Sequence, residues 1–338
     1  MQKKTKSDTK KNKYKKIKTL SNDKEINQEN LKLTIKINNR DINLFLIDSL
    51  IQDIKKKKEF SSLDDPLVFN EVIKSIKKSS KRTKIFSEAL LEKIKKSKEY
   101  KQIIKDVRAI LRRLYGMFQV EDIKKRKEHL LSIESELSKK RSLKKNLIEY
   151  HDAILSTHSS TEERLNIYPE IYKKIFKITK KPKSILDVGC GLNPCSLPYM
   201  NLKNIRYSAY DISLRDLEFL KDYFSIVKDY YNLKYSVDVI NLLRAKKENV
   251  FKGIKKHDVA FLFKVLEVVE MSKSHKISEN IIRDIPAKYV VASFPTKTLT
   301  KKLMNYIRRG WMHMMLERLG YKYHIIEDKN EIFFIVEK

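Results

Sequence analysis

Glycine and proline are scarce in this chain, with six and seven residues among 338. Within the first 150 positions only Gly116 and Pro66 interrupt the text, so helix breakers are nearly absent there. Cysteine is scarcer still. Cys190 and Cys195 cannot build a disulfide framework, no Cys/His cluster with metal-ligand spacing accompanies them, and both read as small packing groups. No stretch reaches the roughly 18 consecutive apolar residues of a membrane span. The lysine-rich start is not followed by the apolar core of a secretory signal. The expectation is a reduced, cytoplasmic protein without membrane contact.

What is abundant is positive charge. Lysine and arginine number 74 against 43 acids, a formal net charge of +31. A standing field of that sign attracts polyanions and speeds encounter with them, so nucleic acid is the expected partner. An apolar content of 41% is enough for a packed core.

Three regions are expected. Residues 1–30 are polar, with nine lysines in the first eighteen positions, and cannot bury enough apolar surface to offset ordering entropy; they read as a disordered basic arm. Residues 31–150 carry apolar residues at helical spacing, as in "IFSEALLEKI" and "IIKDVRAILRRLYGMF", and read as an all-helical, RNA- or ribosome-binding domain. "TIKINNRDINLFLI" is open to a second reading, as the start of a short strand. Residues 151–338 alternate short apolar runs ("SILDV", "IRYSAYDI", "YSVDVI", "DVAFLFK", "KYVVASF") with helix-like stretches. That alternation predicts an α/β fold with a mostly parallel sheet covered on both faces. "YKYHIIEDKNEIFFIVEK" adds a C-terminal antiparallel hairpin.

The stretch "SILDVGCGLNPCSLPYM" places Asp187 before a turn built on Gly189 and Gly191. Ligands of open α/β sheets sit at the carboxyl ends of the strands, and glycines there let backbone come close. Asp211 ends the next strand, where a carboxylate accepts hydrogen bonds from ribose hydroxyls. NAD(P), FAD and S-adenosylmethionine all use this arrangement. Leu192-Asn193-Pro194 occupy the place of the third glycine that helps a helix approach a pyrophosphate, and the acid suits a ligand carrying a sulfonium and an ammonium. The combination favours S-adenosylmethionine. Trp311 reads as a helix anchor, and His257 and His313 as surface or turn residues.

Together, "HSSTEERLNIYPEIYKKIF" and "LDVGCGLNPCSLPYM" resemble the aminoglycoside-resistance 16S ribosomal RNA methyltransferases, which methylate guanine N7. "DVAFLFKVLEVVE" and "VVASFPTKTL" extend the likeness over roughly 85–338, whereas residues 1–80 look additional. The resemblance implies a seven-stranded, class I Rossmann-like methyltransferase domain after the helical region, with S-adenosylmethionine as cofactor. It implies that Arg164 pairs with the donor carboxylate, with His158 and Ser160 nearby, that Gly189 and Gly191 lie against the methionine part, and that Asp211 holds the ribose. Asn241 and Leu242 would meet adenine; Lys264, Ser293, Phe294, Pro295 and Lys297 would border the target base, the serine, phenylalanine and proline in a turn. Ser160 and Glu163 also fit an S-x-x-E capping box. Arg164 stands apart, since a guanidinium grips a carboxylate through two parallel bonds.

Guanine N7 carries a free lone pair, so its methylation asks for positioning rather than a general base; no catalytic acid–base residue and no metal is expected. The expected partner is ribosomal RNA or the small ribosomal subunit, met by a monomer. Two alternatives stand beside this reading: a methyltransferase for transfer RNA or another ribosomal base, and a non-catalytic RNA-binding or ribosome-assembly protein with a degenerate donor site.

Overall fold

The computed structural model describes residues 33–61, 63, 65–88, 91–112, 123–139, 146–246, 248–270, 274–297, 309–328 and 330–338. The basic arm expected over 1–30 lies outside them. Contacts divide the chain into two compact units, Met1–Gly116 and Met117–Lys338. The boundary expected at 150 therefore falls much earlier, because the helices at Ile123–Ser138 (α5) and Leu147–Leu155 (α6) bury Leu130, Ile133, Ile154 and Leu155 in the core of the second unit.

The first unit is not all-helical. It opens with an antiparallel ribbon, β1 (Thr34–Ile37) and β2 (Arg40–Asn43). Asn38 and Asn39 between them both have positive φ, 47° and 63°, the backbone that a two-residue type I′ hairpin loop needs and asparagine tolerates. Helices follow, among them α1 (Leu44–Lys55), α2 (Asp65–Lys77), α3 (Ser80–Glu88) and, after the single turn Leu91–Lys95, α4 (Lys98–Leu111). Asn43 caps α1 by accepting from the Phe45 amide at 2.8 Å, and Ser97 caps α4 by accepting from Tyr100 at 3.1 Å. Helix α4 buries Tyr100, Ile103, Val107 and Leu111, one stripe at helical spacing, and leaves its lysines outside.

In the second unit seven strands lie in the order β5-β4-β3-β6-β7-β9-β8. They span Ser184–Val188 (β3), Ile205–Asp211 (β4), Leu233–Val239 (β5), His257–Phe263 (β6), Ala287–Pro295 (β7), Lys322–Glu327 (β8) and Glu331–Glu337 (β9). Strands β3 to β7 are parallel, and β9 runs antiparallel to both β7 and β8. The chain moves outward from β3 to β5 and then returns to β6 on the other side of β3. That reversal opens a crevice at the carboxyl ends of β3 and β6.

Alternate residues feed two cores, one on each face of the sheet. Ile185, Tyr207, Phe261 and Phe333 face α7 (Tyr168–Thr179) and α8 (Leu214–Tyr231). Leu186, Ala260, Val290 and Phe334 face α9 (Lys276–Asp284) and α10 (Gly310–Arg318). Trp311 stacks on His275 with ring centres 4.0 Å apart and meets Phe294 edge-on. His257 is buried rather than superficial: its imidazole bonds the Ser208 hydroxyl and the Lys255 carbonyl. Among the described residues no helix is long and apolar enough to cross a membrane.

One buried ion pair fastens the helical entry to the sheet. Arg126 of α5 donates to Asp216 in the first turn of α8 at 2.7 Å, and to the Thr157 hydroxyl and carbonyl at 2.6 and 3.1 Å. Both charges are almost fully enclosed. Removing one partner of such a pair strands the other charge, which costs about 3–5 kcal/mol. Arg126→Ala should therefore destabilise the second unit by about that amount in urea denaturation. A change below about 1 kcal/mol would mean that Asp216 finds water or another cation.

Candidate functional site

The turn after β3 admits no side chain at either glycine. Gly189 has φ +65°, and a Cβ there would lie 2.6 Å from Val265 Cγ2. Gly191 has φ +48°, and its Cβ would come within 3.1 Å of the His158 imidazole. The amides of Gly189 and Cys190 donate to the Tyr210 carbonyl at 2.8 and 3.2 Å. The Gly191 amide donates to Asp211 Oδ2 at 2.8 Å, and Asp211 Oδ1 accepts from Ile212 and Ser213 at 2.6 and 2.9 Å. Three backbone bonds thus fix the carboxylate plane. A carboxylate offers about four lone-pair sites, so acceptor capacity is left for a ligand hydroxyl.

Asp187 explains the Asn-Pro in place of a third glycine. Its Oδ2 accepts from the Asn193 amide at 2.8 Å and from the Tyr207 hydroxyl at 2.6 Å. The Asn193 carbonyl in turn accepts from the hydroxyls of Tyr168 and Tyr172 at 3.0 and 3.3 Å, and Tyr172 also bonds Ser196. Pro194 sits in the short helical turn Asn193–Ser196 that presents this asparagine. Burial pushes the Asp187 carboxyl up to about 6, against the two hydrogen bonds and the Arg164 charge, which act to lower it. Burial likewise pushes the His158 imidazole down to about 4, so the ring against Gly191 is neutral at pH 7.

Arg164 turns inward and is almost wholly buried. Its guanidinium lies over the Phe263 ring, 4.9 Å from the centroid. Its Nε is 3.0 Å from both oxygens of Glu331, and Nη2 donates to Ser160 Oγ at 3.0 Å. Lys264, at the end of β6, reaches Glu331 at 3.3 Å and also binds Glu163. Burial opposes the charge on Glu331, yet the Arg164 and Lys264 cations hold its carboxyl below the usual range. Ser160 therefore serves Arg164, four residues on, and Glu163 serves Lys264 at the end of β6; the helical turn Ser159–Glu162 has no side-chain cap.

The other expected residues are spread along the same sheet edge. The Asn241 side chain accepts from the Leu243 amide at 3.1 Å, Leu242 is buried, and the Ile240 amide bonds the Asp211 carbonyl, which ties this segment to the end of β4. Ser293-Phe294-Pro295 is not a turn but the end of β7, paired with Phe333, Ile332 and Glu331. The Phe294 ring points into the core against Phe334. Lys297 lies just beyond this strand, half-buried. Cys190 and Cys195 are buried free thiols.

Glu331, Tyr207 and Asn193 escaped the reading of motifs. The first opens a strand whose direction pattern alone does not reveal, and Tyr207 looks like ordinary strand text. Asn193 alone carried a signal, standing where a glycine was expected.

A model of the family "Ribosomal RNA methyltransferase (FmrO)" matches residues 95–332. The chain is similar to a 16S rRNA (guanine(1405)-N(7))-methyltransferase of Micromonospora rosea, 26% identical over 196 residues, which are 57% of this chain and 67% of the relative. It is also similar to the enzyme of that description from Proteus mirabilis, 25% identical over 252 residues, which are 70% of this chain and 85% of the relative. Among solved structures, the 16S rRNA methyltransferase RmtF in complex with S-adenosyl-L-homocysteine superposes with a TM-score of 0.61 at 20% identity, covering 86% of this chain and 98% of that one. The last likeness establishes the Rossmann-like methyltransferase fold.

Asp187 and His158 pull stability in opposite directions with pH. Asp187, raised to about 6, stabilises the fold below its unfolded value and loses that contribution as pH rises through about 6. His158, lowered to about 4, contributes above its ordinary 6.5 and loses that contribution as pH falls through about 4. Asp187→Asn removes the half that gains on acidification. Its melting temperature should drop more steeply than that of the unaltered protein between pH about 6 and about 4. Parallel profiles would show that Asp187 does not titrate in that interval.

Proposed function

Because the chain belongs to the FmrO family of ribosomal RNA methyltransferases, we propose that it is an S-adenosylmethionine-dependent enzyme that methylates N7 of a guanine in 16S ribosomal RNA. The reading is carried by one observation: the Gly189–Gly191 turn, the Asp211 carboxylate and the buried Arg164 all lie along the carboxyl edge of the sheet at its point of reversal. The names of the Micromonospora and Proteus relatives support the target base and the RNA. The protein works as a cytoplasmic monomer on the small subunit.

The residues fit the donor group by group. The absence of a Cβ at Gly189 and Gly191 lets the turn pass close against Val265 and His158, and its backbone meets the methionine part. Arg164 takes the α-carboxylate, with Ser160 and His158 beside it, and Asp187 is the nearby acid for the ammonium. Asp211 accepts from the ribose hydroxyls while its backbone bonds hold it still. Asn241 and Leu242 border the adenine. When bound, the donor supplies a methyl group activated by a sulfonium; the S–CH3 bond breaks as the C–N7 bond forms, and the positive charge passes to the purine.

N7 is an acceptor on the major-groove edge of guanine and holds no proton to remove. The protein's part is to hold N7, the methyl carbon and sulfur in line, and such orientation is worth about 7–11 kcal/mol. Lys264, Ser293, Pro295 and Lys297 border the acceptor side, and Phe294 supports it from the core.

Substrate grip falls to the basic helical unit. A groove of about 360 Å³ there is lined by Lys57, Lys101, Ile104, Lys105, Arg108 and Arg112. Arg108 is held by the carbonyls that end α1, and Arg112 by Glu59 at 2.6 Å. Cations so spaced suit the phosphates of a folded RNA.

Incubation of the protein with methyl-labelled S-adenosylmethionine and 30S particles should label 16S RNA, and cleavage at N7-methylguanine should map the site. Absence of label in every ribosomal and transfer RNA would refute the enzyme reading; label elsewhere would replace the substrate. Gly189→Ala combines a left-handed backbone with a collision against Val265, so affinity for S-adenosylhomocysteine should fall about tenfold or more. Replacing Lys101 and Lys105 together by glutamine should flatten the log–log salt dependence of RNA binding by about 1.4–1.8.

A further inference from the structure

Glu331 opens β9. Because that strand runs antiparallel to β7, its first residue pairs with Pro295 and lies at the same edge as the carboxyl ends of the parallel strands. Its carboxylate, 1% exposed, is the shared counter-ion of two buried cations from separate parts of the chain, Arg164 and Lys264, and it accepts a bond from the Ser293 hydroxyl. With Glu163, which also pairs with Lys264, the two cations are balanced by two carboxylates. Glu163, the other acid on Lys264, has a side chain 52% exposed and faces water.

A second observation points to the same cluster. Lys264 holds φ +57°, a left-handed backbone that costs a residue with a side chain and suits glycine. Its amide is pinned by the Ser293 carbonyl and hydroxyl at 3.0 and 3.1 Å. Strained backbone of this kind persists where the surroundings over-determine it and clusters at functional sites. Here the strain sets a lysine, rather than a glycine, against Glu331.

We propose that Glu331 is a positioning residue of the methyl-transfer site. It holds the Nε side of Arg164, as Ser160 holds Nη2, so that the guanidinium is fixed in place for the donor carboxylate, and it anchors Lys264 on the acceptor side. One buried carboxylate thereby sets the donor and acceptor halves in register. The proposal rests on the donor reading above. It differs from a purely structural ion pair in a specific way: losing the charge of Glu331 should harm recognition of the carboxylate end of the donor and spare recognition of the adenosine end, which Asp211 governs from β4.

The test titrates full-length protein, unaltered and Glu331→Gln, with S-adenosylhomocysteine and with 5′-methylthioadenosine, which lacks the amino-acid end. Glu331→Gln should weaken S-adenosylhomocysteine about tenfold or more, the scale of a lost charge-assisted hydrogen bond, and methylthioadenosine by less than about twofold. Turnover at saturating donor should also fall, through Lys264, and Glu331→Asp should restore part of both. Unchanged or tighter S-adenosylhomocysteine binding would overturn the proposal, as would equal weakening of the two ligands. If Glu331→Gln does not fold, the double variant Glu331→Gln/Lys264→Met, which removes one buried charge of each sign, carries the same comparison and the same expected outcome. Unaltered protein that binds neither ligand would instead overturn the donor reading itself.

Discussion

The buried carboxylate of Asp187 is the constraint on which the crevice is built. Its Oδ2 joins a strand, through Tyr207, to the turn that follows β3, through Asn193. Asn193 then passes the restraint to Tyr168 and Tyr172 of α7. A glycine in place of Asn193 would leave Asp187 with one protein partner and would loosen the turn from the helix. In a low-dielectric interior a fully connected polar network specifies one arrangement, because every alternative strands a polar group. The glycines supply the room in this turn; the aspartate and asparagine supply its shape.

Two buried ion pairs extend that logic to longer range. Arg126–Asp216 ties α5 to the helix that begins just after Asp211, and through Thr157 to the turn that carries His158. Arg164–Glu331 ties the same turn region to β9, 167 positions away in sequence. Neither pair is an economical way to gain stability, since desolvation offsets most of the attraction. What they provide is register: each allows a single docking of elements that apolar contacts alone would let slide. The interior charges are thus matched one against another, whereas the exterior is left with a large surplus of lysine and arginine. That division suits a protein with a small zwitterionic cofactor inside and a polyanion outside.

Much was legible from local pattern. The five parallel strands, the glycine turn and the terminal acid of β4 all follow from apolar runs of strand length punctuated by small and acidic residues. The disagreements have local physical reasons. The β1–β2 ribbon bears out the second reading of its stretch, as the start of a short strand; its hairpin loop carries no glycine, because two asparagines took the left-handed positions. The early domain boundary reflects the apolar stripes of α5 and α6, whose partners lie in the sheet and are not neighbours in sequence. Ser160 and Glu163 matched a capping box by spacing, yet Ser160 accepts from Arg164 four residues on and Glu163 pairs with the distant Lys264. Ser293-Phe294-Pro295 was expected as a turn from the family resemblance, but it is the end of β7, with Pro295 as the last residue.

Residue order along the chain was enough to establish the class of fold, the surplus charge and the glycine–acid pattern, because these depend on neighbours one to four positions apart. The identity of the counter-ion inside the crevice was not contained in any such window. Glu331 reaches Arg164 because β9 enters the sheet in reverse and brings its first residue to the edge where the other strands end. Strand direction is settled by packing across the whole sheet, so the partner of a buried guanidinium becomes visible once the sheet is assembled.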